Sequence, residues 1–139
     1  MCNFNNTIKI IFMDYNLLMQ KAKEISRKAY APYSNFPVGA CVLTSSGNTY
    51  VGCNVENSSY GLTVCAERNA VASAVANGEK NISAVAIYSP KRENCLPCGA
   101  CRQVIGEFRR DSEIEIITES ENKLKIFKFN EIMPGCFKL

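Results

Sequence analysis

The pattern of apolar positions along the chain predicts helices that alternate with strands. Apolar residues recur at helical spacing after Asp14, a residue type suited to an N-cap, so an amphipathic helix is expected from about Tyr15 to Lys28. A second helix is expected from about Cys65 to Ala76, ending at the Asn77-Gly78 pair, and a third from about Cys98 to Phe108.

The remaining apolar segments have the composition of β-strands. Residues 38–55 predict two strands joined by a turn at Ser45 to Asn48. The continuous apolar run Ile82–Ser89 predicts a buried strand, and Ile114–Glu119 and Leu124–Phe129 predict two more. The residues after this last strand are expected to form a short turn and tail. Strands that alternate with helices favour an α/β fold built around a layered sheet.

Composition excludes several classes of function. The chain of 139 residues, with 47% hydrophobic and 21% charged residues, fits one globular domain. Its formal net charge of +3 is mild, and no basic run is dense enough to indicate binding to nucleic acid. No apolar stretch approaches the roughly 18 residues that a membrane span needs, so no membrane association is expected.

Residues 1–13 are expected to form a loosely ordered extension before a domain over residues 14–139. They lack the basic region, long apolar region and cleavage site of a signal peptide, so a cytoplasmic location is expected. In the reducing cytoplasm, clustered cysteines indicate metal binding or catalysis before they indicate disulfides.

The chain has eight cysteines and no histidine. Cys98 and Cys101 form a C-x-x-C motif at the start of a predicted helix, which places both sulfurs on one face. Cys65 begins another predicted helix, and helix N-termini favour thiolates. Three thiolates would suit a zinc ion and would leave a fourth position for water, as in a catalytic site.

Two other interpretations of these cysteines remain open on spacing alone. Cys95 could supply a fourth sulfur, which would make a structural zinc site with Cys65 and the C-x-x-C pair. The C-x-x-C motif could also be a redox pair of the thioredoxin type, but such a pair has no need for Cys65.

Glu67 is the candidate catalytic base. An open zinc site needs a base beside its water, and without histidine a carboxylate has to serve. Residues two apart do not share a helix face, however, so spacing alone would place the Glu67 side chain in solvent or at the helix cap.

Two motifs and their surroundings carry a family resemblance. They are C-A-E at Cys65 to Glu67 and, about 30 residues later, P-C-G-A-C at Pro97 to Cys101. With the segments NVENSSYGLTVCAERNAV, PCGACRQVI, APYSNFPVGA and MPGCF, the chain closely resembles the small, homotetrameric cytidine deaminases from about Asp14 to Phe137. Cysteine at the first ligand position, where polynucleotide deaminases have the histidine of H-x-E, favours a nucleoside substrate.

The resemblance implies a three-layer α/β/α fold with a central, mostly five-stranded mixed sheet. It implies one Zn²⁺ per chain held by Cys65, Cys98 and Cys101, with Glu67 as proton donor and acceptor. The implied reaction is hydrolytic deamination of cytidine and 2′-deoxycytidine, releasing ammonia, in pyrimidine salvage. A homotetramer with shared active sites is implied as well. The alternatives are a blasticidin-S type nucleoside deaminase, an RNA-editing deaminase and, more distantly, the structural four-cysteine module.

Arg68 is the candidate for offsetting excess negative charge. Three thiolates on Zn²⁺ sum to −1, which weakens the metal as a Lewis acid. Arg68 follows Cys65 by three residues and so lies on the same helix face. The resemblance also places an arginine near the thiolates.

Strand periodicity and the resemblance together define the candidate substrate pocket. A period of two places Asn54 and Glu56 on one side of a strand, with Cys53 and Val55 on the other, core-facing side. The resemblance implies that Asn54 and Glu56 hold the ribose, and a carboxylate there would repel a nucleotide's phosphate. The implied substrate-binding residues are Phe36, Asn54, Val55, Glu56, Asn57, Ser58, Ser59, Tyr60, Ala66 and, from a neighbouring subunit, Phe137.

Overall fold

The computed structural model describes residues 13–110 and 112–139, which form one sheet with helices on both faces. The predicted α/β fold with a five-stranded mixed sheet is confirmed. In chain order the elements are α1 (Tyr15–Ser26), β1 (Gly39–Thr44), β2 (Thr49–Cys53), a 3₁₀ helix (Tyr60–Leu62), α2 (Ala66–Ala76), β3 (Ile82–Tyr88), α3 (Gly99–Glu107), β4 (Glu115–Ser120), β5 (Lys123–Lys128) and α4 (Phe129–Ile132).

Helix α1 begins as the sequence predicts and ends two residues early. The Asp14 carboxylate accepts a hydrogen bond from the backbone N–H of Leu17 at 3.1 Å, which makes Asp14 the N-cap. Beyond Ser26 the backbone closes tighter, three-residue bonds, such as that from Lys28 N to Ile25 O at 3.0 Å. The α-helix therefore ends in a tighter, 3₁₀-like turn, short of the predicted end.

The strands lie in the order β2-β1-β3-β4-β5. All neighbouring strands are antiparallel except β3 and β4, which are parallel. A parallel pair requires a crossover connection, and α3 supplies it. The N-terminus of α3 therefore follows the carboxyl end of a central strand.

The two faces of β1 bury different helices, which confirms the three layers. Cys41 and Leu43 belong to the cluster formed with α1, whereas Ala40 and Val42 belong to the cluster with α2 and α3. Successive strand residues point to opposite faces, so β1 is covered on both sides.

Gly52 allows α2 to lie close against β2. A Cβ atom on Gly52 would stand 2.4 Å from the backbone nitrogen of Ala70 and 2.6 Å from the carbonyl oxygen of Ala66. Any other residue would push the helix away from the sheet and move its N-terminus.

The end of the chain contains a helix that the sequence did not predict. Phe129, expected to end a strand, instead begins α4 and is fully buried. No helix in the described part of the chain is long and apolar enough to cross a membrane. The predicted extension lies outside the described residues apart from Met13, and the domain boundary stays a prediction.

Candidate metal centre

Three cysteine side chains converge where two helices begin. Cys65 is the N-cap of α2, Cys98 is the N-cap of α3, and Cys101 lies in the first turn of α3. Both helices therefore direct free N–H groups and the positive ends of their dipoles towards this point. These are the surroundings that favour thiolates over thiols.

The spacing of the sulfurs fits a zinc ion. The Sγ atoms of Cys65 and Cys98 are 3.9 Å apart, and those of Cys98 and Cys101 are 3.5 Å apart. Tetrahedral zinc with Zn–S bonds of about 2.3 Å requires sulfurs about 3.8 Å apart, whereas a disulfide requires about 2.05 Å. Within the described residues, the potential metal-binding group consists of these three cysteines, with ligand atoms within 4.8 Å of one another, and does not include Cys95.

The pKa values of Cys65 and Cys101 are shifted in opposite directions. The neighbouring Cys101 thiol, together with Arg68 and Cys98, lowers the pKa of the Cys65 thiol to about 5. The pKa of Cys101 lies well above its usual range, chiefly because of the same interaction with Cys65 and also because it is buried. Without metal, Cys65 is therefore a thiolate at neutral pH, ready to receive a cation.

Arg68 lies beside the sulfurs, where the sequence placed it. Its Nη2 is 3.8 Å from the sulfur of Cys65 and donates a hydrogen bond to the carbonyl oxygen of Thr63 at 3.1 Å. The Thr63 contact fixes the guanidinium against the thiolate, a geometry that suits charge compensation.

Glu67 is buried in the first turn of α2. Its side chain is 4% exposed, and burial raises the pKa of its carboxyl to about 7. The expectation of a solvated side chain is wrong because Cys65 precedes the helix, with an extended backbone at φ −69° and ψ 156°. The rule that helical residues two apart face different ways therefore does not govern this pair.

A cavity of about 340 Å³ opens beside Cys65, Cys98 and Glu67. Its lining brings together residues from four separate stretches of the chain. The predicted site residues that line it are Phe36, Asn54, Cys65, Ala66, Glu67 and Cys98. The other lining residues are Cys95, which the sequence offered as an alternative fourth zinc ligand, and four that it did not single out, Ser34, Val38, Thr63 and Leu96.

A second cavity, of about 220 Å³, adjoins the first and contains Glu56. The two cavities share Ser34 and Thr63, and Tyr33 and Tyr60 complete the second. The Glu56 carboxylate accepts hydrogen bonds from the Ser34 hydroxyl and from the backbone N–H groups of Tyr33 and Ser34, at 2.8 and 3.2 Å respectively. These bonds, that from the hydroxyl foremost, lower the pKa of Glu56, so its carboxylate is a fixed negative charge in the cavity that adjoins the metal site.

The predicted orientation of the residues after β2 is partly wrong. Val55, expected to face the core, is 45% exposed, whereas the Asn54 side chain is buried. The Asn54 amide accepts from the N–H of Val38 at 2.8 Å and donates to the carbonyl of Phe36 at 2.9 Å. Strand β2 ends at Cys53, so the alternation of faces does not extend to these residues.

Several predicted substrate residues lie outside both cavities. Asn57, Ser58 and Ser59 belong to the loop before the 3₁₀ helix, as Val55 does, and none of the four lines either cavity. Phe137 is 68% exposed at the surface, and its predicted role in a neighbouring subunit's pocket stays a prediction. Tyr33 and Ser34, which line the second cavity, lie within APYSNFPVGA, a segment that carries the family resemblance, so the sequence could have identified them as site residues.

The raised pKa of Glu67 predicts a pH-dependent stability for the zinc-free protein. The carboxyl titrates near 4.5 when unfolded and near 7 when folded, so its contribution is fully present below pH 4.5 and lost as the pH rises through 7. The loss amounts to about 3 kcal/mol. Glu67→Gln, which cannot titrate, should gain that much relative to wild type between pH 4.5 and 8 in chelator-treated samples. Denaturant unfolding at several pH values measures the difference, and parallel curves would contradict the assignment.

The fold and the site together define a class, that of α/β proteins with a zinc-type thiolate centre and a buried carboxyl beside it. The model of the cytidine and deoxycytidylate deaminase zinc-binding region matches residues 13–117. The cytidine deaminase of Sporosarcina psychrophila is 41% identical over 125 residues, covering 90% of this chain and 92% of that protein. The chain belongs to the cytidine deaminase family.

Solved structures support the same placement. The cytidine deaminase of Burkholderia pseudomallei superposes with a TM-score of 0.82 at 40% identity, covering 90% of this chain and all of that chain. The cytidine deaminase of Mycobacterium tuberculosis gives a TM-score of 0.79 at 37% identity, covering 91% of this chain and 99% of that chain. The sheet and its flanking helices are therefore those of the family.

Proposed function

We propose that this chain is a zinc-dependent hydrolase that converts cytidine and 2′-deoxycytidine to uridine and 2′-deoxyuridine with release of ammonia. The observation that carries the proposal is a buried carboxyl, Glu67, in the same cavity as Cys65 and Cys98. Its pKa near 7 suits a group that both accepts and donates protons at neutral pH. Family membership supplies the substrate class. A cytoplasmic role in pyrimidine salvage belongs to the same proposal.

Cys65, Cys98 and Cys101 would hold the ion, since their sulfur spacing fits zinc. When bound in an open three-ligand site, zinc lowers the pKa of a water molecule and makes it a nucleophile. Arg68, fixed 3.8 Å from the Cys65 sulfur, offsets part of the thiolate charge.

Glu67 would carry out the proton transfers. It accepts a proton from the water whose oxygen adds to C4 of the cytosine ring, and it passes that proton to ring N3. A second proton, from the oxygen now on C4, moves through Glu67 to the amino group. The C4–N bond then breaks, ammonia leaves, and the carbonyl of uridine remains. Burial keeps bulk water from competing for these protons.

Glu56 and its cavity favour a nucleoside over a nucleotide. The Glu56 carboxylate, 2.8 Å from the N–H of Tyr33, can accept hydrogen bonds from ribose hydroxyls. Its negative charge repels a phosphate at the same place. Asn54 would help to hold the ribose, because its side chain lines the cavity, is fixed by hydrogen bonds to the backbone of Val38 and Phe36, and keeps a second N–H that can be donated.

A panel of substrates tests the proposal. Ultraviolet assays on cytidine, deoxycytidine, CMP and blasticidin S, with zinc measured alongside, should show turnover of the two plain nucleosides and about one zinc per chain. Preferential turnover of blasticidin S would favour the related antibiotic deaminase. A gel shift with single-stranded RNA would favour an editing enzyme. Zinc without any turnover would overturn the proposed activity and favour a binding module.

We propose further that the enzyme is a homotetramer in which Phe137 completes a neighbour's active site. The exposure of this apolar side chain, at 68%, supports the proposal. Phe137→Ala should raise KM for cytidine by about 10-fold, in line with the loss of one buried aromatic contact, while the tetramer is retained. Kinetics and light scattering measure the two properties. An unchanged KM would count against the shared site.

A further inference from the structure

The C-terminal segment, residues 129–139, is attached to the helix that carries two of the metal-site cysteines. Gln103 Nε2 donates a hydrogen bond to the carbonyl oxygen of Phe137 at 2.9 Å, and Arg102 Nη1 donates to that of Ile132 at 2.6 Å. Two residues beyond the end of α3, the Lys138 ammonium donates to the carbonyl of Arg109 at 3.0 Å. The segment is thus bonded from the first turn of α3 to just past its end.

Arg102 joins this segment directly to the ligand turn. Its Nε donates to the carbonyl oxygen of Pro97 at 2.8 Å, and Pro97 immediately precedes Cys98. A planar guanidinium presents several donors in fixed directions and can hold two carbonyls at once. One side chain, next to Cys101 in sequence, therefore bridges the ligand turn and α4.

Close packing reinforces the attachment. A Cβ atom on Gly106 would stand 2.5 Å from the sulfur of Cys136 and 3.2 Å from Cζ of Phe129. The absence of a side chain on α3 is what lets the segment lie this close. A shift of α3 is consequently transmitted to the segment, because tightly packed contacts leave no slack.

We propose that Arg102 and Gln103 are positioning residues that couple zinc binding to the attachment of the C-terminal segment. A zinc ion bonded to Cys98 and Cys101 fixes the first turn of α3, and the side chains that follow Cys101 then hold the segment and Phe137 in place. The coupling is reciprocal, so the attached segment also strengthens zinc binding. This inference rests on the proposed zinc site.

Hydrogen exchange of two amides of the segment tests one direction of the coupling, those of Phe129 and Met133, which are hydrogen-bonded to the carbonyls of Ile114 at 2.8 Å and of Phe129 at 2.9 Å respectively. In wild type, removal of zinc by a chelator should raise the exchange rate of these amides by about 10-fold. Gln103→Ala should show the faster exchange even with zinc bound. Gln20→Ala is the matched control, because Gln20 is also a helical glutamine whose side-chain N–H donates a hydrogen bond, to Glu24 at 3.0 Å, and lies on α1. It should behave as wild type.

Zinc affinity tests the other direction. Competition with a chromophoric chelator should show zinc binding about 10-fold weaker in Gln103→Ala, the same factor by which zinc removal loosens the segment. Arg102→Lys, which retains the charge but has a single donor nitrogen, should also weaken zinc binding because it cannot reach both carbonyls in the geometry of the guanidinium. In Gln103→Ala, KM should rise while kcat is nearly unchanged, since the groups that move protons are untouched.

Two results would overturn the coupling while leaving the proposed function intact. One is zinc removal that leaves the exchange of the Phe129 and Met133 amides unaltered in wild type. The other is wild-type zinc affinity in both Gln103→Ala and Arg102→Lys. A wild-type protein that binds no zinc would overturn the proposed function together with the coupling, so the two failures are distinguishable.

Discussion

Replacing Glu67 with glutamine is expected to lower kcat for cytidine by roughly 10²- to 10⁴-fold while about one zinc per chain remains bound. Glutamine has the size of glutamate, so the packing of the first turn of α2 is preserved. It cannot accept the proton of the attacking water or deliver one to the amino group. The metal is retained because its ligands are the three sulfurs, which lie within 4.8 Å of one another without Glu67. Ammonia release and zinc content measured on the same sample check both halves.

Glu107→Gln is the matched control for this substitution. Glu107 is exposed at the end of α3, so the change removes one carboxylate far from the cavity and should alter neither activity nor zinc content. Zinc loss in Glu67→Gln would show that the carboxyl is needed for the metal rather than for proton transfer. Unimpaired turnover would remove Glu67 from the mechanism.

The position of Glu67 shows what residue spacing alone leaves undecided. The sequence predicted the helix and placed a cysteine and a glutamate at its start. Whether the two side chains converge depended on one backbone angle at Cys65, whose ψ of 156° places it outside the helix. Helix ends are the least certain part of a pattern-based prediction, and here one residue decides the site.

The ligand set was more predictable because each cysteine carries a local signal. A C-x-x-C motif at a helix start places Cys98 and Cys101 together by helix geometry alone. Cys65 comes close to these two cysteines only through the tertiary fold, because α2 and α3 lie far apart in sequence and meet on one face of the sheet. The exclusion of Cys95 needed coordinates, because its spacing allowed a four-cysteine site.

The cavity walls were the least predictable part. Ser34 and Thr63 lie in irregular segments whose course follows from hydrogen bonds to distant residues, such as that from Ser34 N to Glu56 at 3.2 Å. The orientation of Asn54 and Val55 was mispredicted for the same reason. The backbone of Val55 pairs with Tyr30 and Val64 in isolated bridges instead of continuing β2. The period-two alternation of side chains holds within a strand and does not predict side-chain orientation beyond its end.

Replacing Cys101 with serine is expected to abolish zinc binding at micromolar metal and, with it, activity. Serine is a poor zinc ligand, and a site with two sulfurs loses affinity by at least about 100-fold. Bound metal stabilises the folded state by about 4 kcal/mol at a thousandfold excess over Kd, so its loss should lower Tm on the order of 10 °C. A chelator should lower the Tm of wild type to a similar extent and leave that of Cys101→Ser unchanged.

Cys95→Ser separates metal binding from mere burial of a thiol. Cys95 is buried, at 8% exposure, and it lines the same cavity as the candidate ligands Cys65 and Cys98. Burial raises the pKa of its thiol to about 11, but what separates it from the ligands is position, because it is not among the three cysteines whose sulfurs lie within 4.8 Å of one another. The variant should therefore keep both zinc and turnover, whereas a four-cysteine site would lose them. Equal zinc loss in Cys95→Ser and Cys101→Ser would mean that the metal has no open position for water, and the hydrolytic mechanism would fall with it.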